Sequence, residues 1–135
     1  MTTLYDVKSR ELIDLASQRL KDKISKPEYM NYVKSGPGKE RPPSDENFWY
    51  IRGASVLRQI YMNGPIGVSK LTMRYSNRKE HSVSRKHTVR ASSGILRDLL
   101  QQLEKAELVK TTPKGRILTD KGKSFIDKIS SEIAK

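Results

Sequence analysis

The chain has 135 residues, 35% of them apolar and 31% charged, with no cysteine and a net charge of +12. That length fits one ordinary domain with a true core, residues 1–135 as a single unit. Disulfides, thiolate zinc sites and cysteine nucleophiles are excluded. No cationic start followed by an apolar run, and no stretch of about eighteen apolar residues, marks a targeting signal or a membrane span, so a soluble intracellular protein is expected.

The cations are unevenly placed. Residues 51–100 carry 10 Lys and Arg against 2 Asp and Glu, or 8 of the 12 net charges, whereas residues 26–50 are balanced at 4 and 4. A solvated surface mixes both signs, so a block of one sign favours a face that binds a polyanion.

In chain order, Leu12, Ile13, Ala16, Leu20 and Ile24 recur at helical spacing and predict an amphipathic helix over 5–24. A short helix is expected in 27–33, with Pro27 in its first turn. The segment 34–44 holds five Gly and Pro in eleven residues and reads as an extended loop. Gly38-Lys39 within it lacks the remainder of a phosphate-loop pattern.

Ser44 or Asp45 is placed to cap a third helix running to about Met62, which the Asn-Gly-Pro at 63–65 ends. Phe48, Trp49 and Tyr50 fan across about 200° of that helix, so they cannot all face one core. Either Phe48 or Trp49 packs under the proline-rich loop, or one ring stands near the helix start for a base to stack on. Arg52, Ser55, Gln59 and Asn63 form a polar stripe with Arg58 on its flank.

Ile66-Gly-Val68 suits a single strand-like bridge, and Ser69 is expected to cap a brief helix over 70–75. The stretch 75–94 is polar and strongly cationic with no helical or strand period, which suggests a loop ordered by its partner. A clear amphipathic helix begins at Ser92 or Ser93 and runs to about Ala106. With Ile95 as origin, Leu99, Leu103, Leu96 and Leu100 fall at roughly 40°, 80°, 100° and 140°. Two β-prone runs around Pro113-Lys114-Gly115 predict a hairpin over 108–118, and Thr119 caps a last helix with Phe125, Ile126, Ile129 and Ile133.

This order predicts a mainly α fold: a winged helix-turn-helix with additional N- and C-terminal helices and a small β-hairpin wing. DNA-binding versions place the third helix of the module in the major groove. Here the outward arc of 92–106 sets one arginine and one lysine against Asp98 and Glu104 and is close to neutral. The cations lie instead at Arg52, Arg58, Arg74, Arg78, Lys79, Arg85, Lys86 and Arg90. A flexible arginine-rich segment suits structured RNA better than a duplex groove, with a winged-helix transcription regulator on duplex DNA as the alternative.

Tyr50-Ile-Arg-Gly-Ala-Ser55 with Arg58, Asn63-Gly-Pro-Ile-Gly-Val68, Tyr75 with Arg78, His87 with Arg90, Leu99-Leu-Gln-Gln-Leu-Glu-Lys105 and Gly115-Arg-Ile-Leu-Thr119 coincide in order and spacing with one family. Over about Val7 to Ile129 the chain resembles the archaeal and eukaryotic (e-type) small-subunit ribosomal protein nineteen family.

The resemblance implies a cytoplasmic protein of the small-subunit head. Its partners would be small-subunit ribosomal RNA and neighbouring small-subunit proteins, and it would support assembly and maturation of that RNA's 3′ region. It also implies RNA contacts by Arg52, Arg58, Phe48 and Arg97. Ser76-Asn77 replaces the family's common Gly-Gly, and Glu80 replaces a usual basic residue.

Expected RNA-binding residues are therefore Phe48, Trp49, Arg52, Arg58, Arg74, Arg78, Lys79, Arg85, Lys86, His87, Arg90 and Arg97. No catalytic residue, metal or cofactor is expected. His81 and His87 lack partners at ligand spacing, and Ser82, Ser84, Ser92 and Ser93 lack an orienting carboxylate. Neither membrane association nor self-association is expected.

Overall fold

The structure is a computed structural model that describes residues 2–39, 41–79, 83 and 85–135. The sequence readings at Glu80, His81, Ser82 and Ser84 fall outside the described residues.

The stripe expected over 5–24 divides into a 3-10 turn, Leu4–Asp6, and helix α1, Ser9–Leu20, with Val7 extended between them. Asp6 closes the turn by accepting the Thr3 N–H at 2.9 Å. Leu12, Ala16 and Leu20 are buried as their spacing requires, and Ile24 is buried beyond the helix end. Residues 28–31 form one 3-10 turn, Glu28–Asn31, in place of the short helix expected over 27–33.

Helix α2, Phe48–Asn63, starts later than Ser44 or Asp45 would place it. Asp45 instead closes a local turn, its Oδ1 accepting the Asn47 N–H at 2.9 Å, the competing bond that short polar side chains offer the backbone. The helix ends at Gly64, whose φ of 69° carries the chain into Pro65. Packed against α1, the helices Ser93–Lys105 and Asp120–Ala134 and the strand Gly115–Leu118, α2 is the hub of the core.

Helix α3, Val68–Arg74, follows Gly67, so Ser69 lies inside its first turn and does not cap it. Helix α4, Ser93–Lys105, buries Ile95, Leu96, Leu99, Leu100 and Leu103 on the predicted arc. It closes with Glu107 at φ 66°, where the Leu108 and Glu107 N–H groups return to the Leu103 and Glu104 carbonyls at 3.1 and 3.0 Å. That is the double bond of a Schellman stop, here with a glutamate where glycine is usual.

The predicted wing is present as β3, Val109–Thr112, paired antiparallel with β4, Gly115–Leu118. Ile66 joins it as the expected bridge, exchanging both backbone bonds with Arg116 at 3.1 and 2.9 Å. Thr119 then caps helix α5, Asp120–Ala134, its hydroxyl accepting the Gly122 N–H at 3.1 Å.

The largest departure is in the basic stretch expected to be a loop. Asn77–Lys79 and His87–Val89 pair as a second antiparallel ribbon, β1 with β2, in the register Asn77↔Val89, Arg78↔Thr88 and Lys79↔His87. Its pattern was hidden because the outward side chains are almost all polar, leaving no apolar alternation to read.

Buried residues from every helix form one apolar cluster. The architecture is a mainly α winged helix-turn-helix: α2, α3 and α4 form the three-helix module, β3–β4 the wing, and α1 and α5 extend it.

Candidate nucleic-acid interface

The i, i+4 spacing of Phe48 and Arg52 stacks these two side chains on one face of α2. The Arg52 guanidinium lies 5.0 Å from the Phe48 ring centroid and 4.1 Å from that of Tyr75, at the end of α3. One turn further along α2, Ser55 shares a 2.7 Å hydrogen bond with the Tyr75 hydroxyl. A cation is thus held between two aromatic faces, each attracting it through the ring quadrupole.

Burial lowers the Arg52 pKa, and Tyr75 acts in the opposite direction. An arginine starting from so high a value remains a cation. Burial also raises the Tyr75 pKa, against the Ser55 hydrogen bond and the charges of Arg52, Arg58 and Arg74. The charges of three arginines from α2 and α3 therefore act on one phenol.

Two residues after Tyr75 the chain enters β1. Arg78, Lys79 and His87 are exposed on the ribbon, and Arg85 and Lys86 are exposed just before β2. At the ribbon's base Arg90 donates to the Ser69 Oγ at 3.3 Å. The two ion pairs found among the described residues, Arg19–Glu132 and Lys121–Glu107, lie outside this region.

Two sequence assignments fare differently. Trp49 is wholly buried; its ring meets Tyr29 edge-on at 6.3 Å and its indole N–H donates to the Gln102 Oε1 at 3.1 Å. It is a core residue, contrary to its expected place among the RNA-binding residues, because its buried ring offers no face to a base. Arg97 is exposed on α4, but no hydrogen bond or ion pair among the described residues ties it to the cation cluster.

The neutral face of α4 also needs revision. Asp98 accepts the Tyr29 hydroxyl at 2.6 Å, and Gln102 takes the Ser25 N–H at 3.2 Å as well as the indole, so one flank of α4 is covered by residues 25–29 and Trp49. Partly buried and bonded to Asp98, Tyr29 has its pKa raised. Tyr75, at the centre of the cluster, has no place among the residues expected to bind RNA. Its position directly after Arg74 at the end of a basic helix was the available signal.

Residues 3–135 match the family described as ribosomal protein S19e. The chain belongs to that family. Similar proteins, each named small ribosomal subunit protein eS19, include those of three archaea. That of Thermoplasma volcanium is 39% identical over 137 residues, spanning 100% of this chain and 91% of its own length. The Haloarcula marismortui protein is 36% identical over 140 residues, 98% of this chain and 92% of its own. The Aeropyrum pernix protein is 36% identical over 138 residues, 98% and 90%.

An S19e-family chain is a structural ribosomal protein and not an enzyme, and it acts in the cytoplasm as part of the ribosome. Among the described residues no helix is long and apolar enough to cross a membrane.

Proposed function

We propose that this S19e-family protein is a constituent of the small ribosomal subunit head that binds ribosomal RNA through the cations of its middle third. It enters assembly as a monomer, with residues 1–135 acting as one RNA-binding unit beside neighbouring small-subunit proteins. Its contact supports maturation of the RNA's 3′ region.

One observation carries the reading: Arg52 lies on the Tyr75 ring, with Arg74 as its chain neighbour, immediately before a ribbon that presents Arg78, Lys79 and His87. Guanidinium groups recognise phosphates in a bidentate fork, and the partly buried rings of Phe48 and Tyr75 hold the Arg52 guanidinium for such a contact. The covered flank of α4 disfavours the duplex-groove alternative, because a recognition helix must enter the major groove along its outer surface.

Sedimentation of cell lysate through sucrose tests the assignment. The protein is expected to travel with small subunits. Recovery as free protein that binds duplex DNA fragments in preference to small-subunit RNA contradicts it.

A further inference from the structure

The clefts of the described surface are of two kinds. The cleft below the start of α2 has Asp45 and Glu46 in its wall, and the one at the end of α1 has Asp22. Three others have no carboxylate among their described lining residues. The first lies against Lys70, Met73 and Arg74 on α3. The next lies between Ser69 and Thr72 on one side and Arg90, Ala91 and Ser93 on the other. A groove of about 590 Å³ shares Arg90, Ala91 and Ser93 and continues to Tyr32, Lys34 and Pro37.

The walls of that groove are fixed by backbone. The Ser92 N–H donates to the Ser35 carbonyl at 2.9 Å and the Ala91 N–H to the Thr72 carbonyl at 3.1 Å. The two segments cross so closely that a Cβ on Gly36 would stand 3.1 Å from the Ala91 Cα. At the far end of the same loop the Asn77 amide donates to the Gly38 carbonyl at 2.9 Å. A groove built in this way is formed before any ligand arrives, which lowers the ordering cost of binding. On its rim Tyr32 is 75% exposed and stands outside the apolar core.

We infer that this strip, which has no carboxylate among its described lining residues, is a second RNA contact. A single ribose-phosphate strand runs past Lys70, Arg74, Arg90 and Lys34, with one unstacked base on the Tyr32 ring. The inference deepens the proposed function and rests on it. Cations spaced along a groove with no opposing carboxylate track a phosphate chain, and an exposed aromatic ring accepts any base by its face. Lys34, Lys70 and Tyr32 thereby join the interface, although none of them lies in the arginine cluster.

The test measures binding of the full chain to a transcript of the small-subunit RNA 3′ region by fluorescence anisotropy across a salt series. Tyr32, Lys34 and Lys70 are exposed, and thermal melts check that their variants stay folded. Tyr32→Leu is expected to weaken binding about tenfold, and Tyr32→Phe less than about twofold, because stacking survives in the second. Lys34→Ala and Lys70→Ala should each reduce the slope of log K against log salt by about 0.7–0.9. If the wild type binds and Arg58→Ala weakens it while Tyr32→Leu, Lys34→Ala and Lys70→Ala match the wild type, the strip is not a contact and the proposed function stands without it. If the wild type does not bind the transcript, the proposed function fails and the strip fails with it.

Discussion

Two antiparallel ribbons of similar size are held in place by opposite means. The wing, β3–β4, is anchored from below: Leu108, Val109 and Leu118 are buried together at its base, where Val109 pairs with Leu118, and Gly115 lies against the Ile66 backbone. The basic ribbon, β1–β2, buries none of its residues. It is fastened at its base by the Asn77–Gly38 bond and by the bonds from Ala91 and Ser92. One ribbon is positioned by the hydrophobic effect and the other by a few hydrogen bonds, which leaves the second free to present charge over its whole length.

Truncating the anchors should break this comparison most visibly. Leu108→Ala opens a cavity beneath the wing and is expected to cost about 2–5 kcal/mol in chemical denaturation. Val89→Ala on the basic ribbon should stay within about 0.5–1 kcal/mol. Equal losses would mean that both ribbons belong to the core.

Arg52 joins the two regimes. Its stacking on Phe48 and Tyr75 makes it a stabilising residue as well as a cation, so Arg52→Ala should destabilise the RNA-free protein by about 1–2 kcal/mol. Arg78→Ala should change stability by no more than about 0.5 kcal/mol. Equilibrium unfolding of the two variants separates these values, and a silent Arg52→Ala would show that the stack contributes only its charge.

The fastening of the basic ribbon can be tested as a coupled pair. A Cβ on Gly38 would collide with the Asn77 side-chain amide, so Gly38→Ala must displace the amide that Asn77→Ala removes. Each change should cost about 1 kcal/mol, and the double variant should cost no more than either single one. Faster hydrogen exchange at the ribbon amides is the expected readout, and additive effects would contradict the latch.

The smallest effect belongs to a partly buried residue at the edge of the core. Burial, the Asp127 hydrogen bond and nearby acidic charge push Tyr61 from the ordinary 10.0 up to about 12, with its hydroxyl donating to the Asp127 Oδ1 at 2.9 Å. Because the folded state holds this proton more tightly, the contribution is complete below pH 10 and is lost as pH rises towards 12. An alkaline denaturation profile should show that loss, and Asp127→Asn should diminish it.

The elements legible in the sequence were those whose burial leaves a period. The α4 arc, the wing and the Thr119 cap all follow from apolar spacing and turn chemistry. The basic ribbon was illegible because its residues have no apolar face, and Trp49 was misassigned because three consecutive aromatics do not say which one turns inward. The bond from Trp49 to Gln102, 53 positions away, settles that choice and has no local signature. For the proposed interface, the charge block marked residues 51–100, whereas the packing of Tyr75 against Arg52 and Ser55 depends on how α2 meets α3.

The central claim is that the middle-third cations, and not positive charge in general, bind the RNA. The direct measurement is the salt dependence of binding to small-subunit RNA for two double variants of equal charge loss: Arg58→Ala with Arg74→Ala, and Lys123→Ala with Lys128→Ala on α5. The account predicts that the first pair lowers the slope of log K against log salt by about 1.4–1.8 while the α5 pair leaves it within error of the wild type. Equal losses from both pairs, or no loss from the arginine pair, would contradict it.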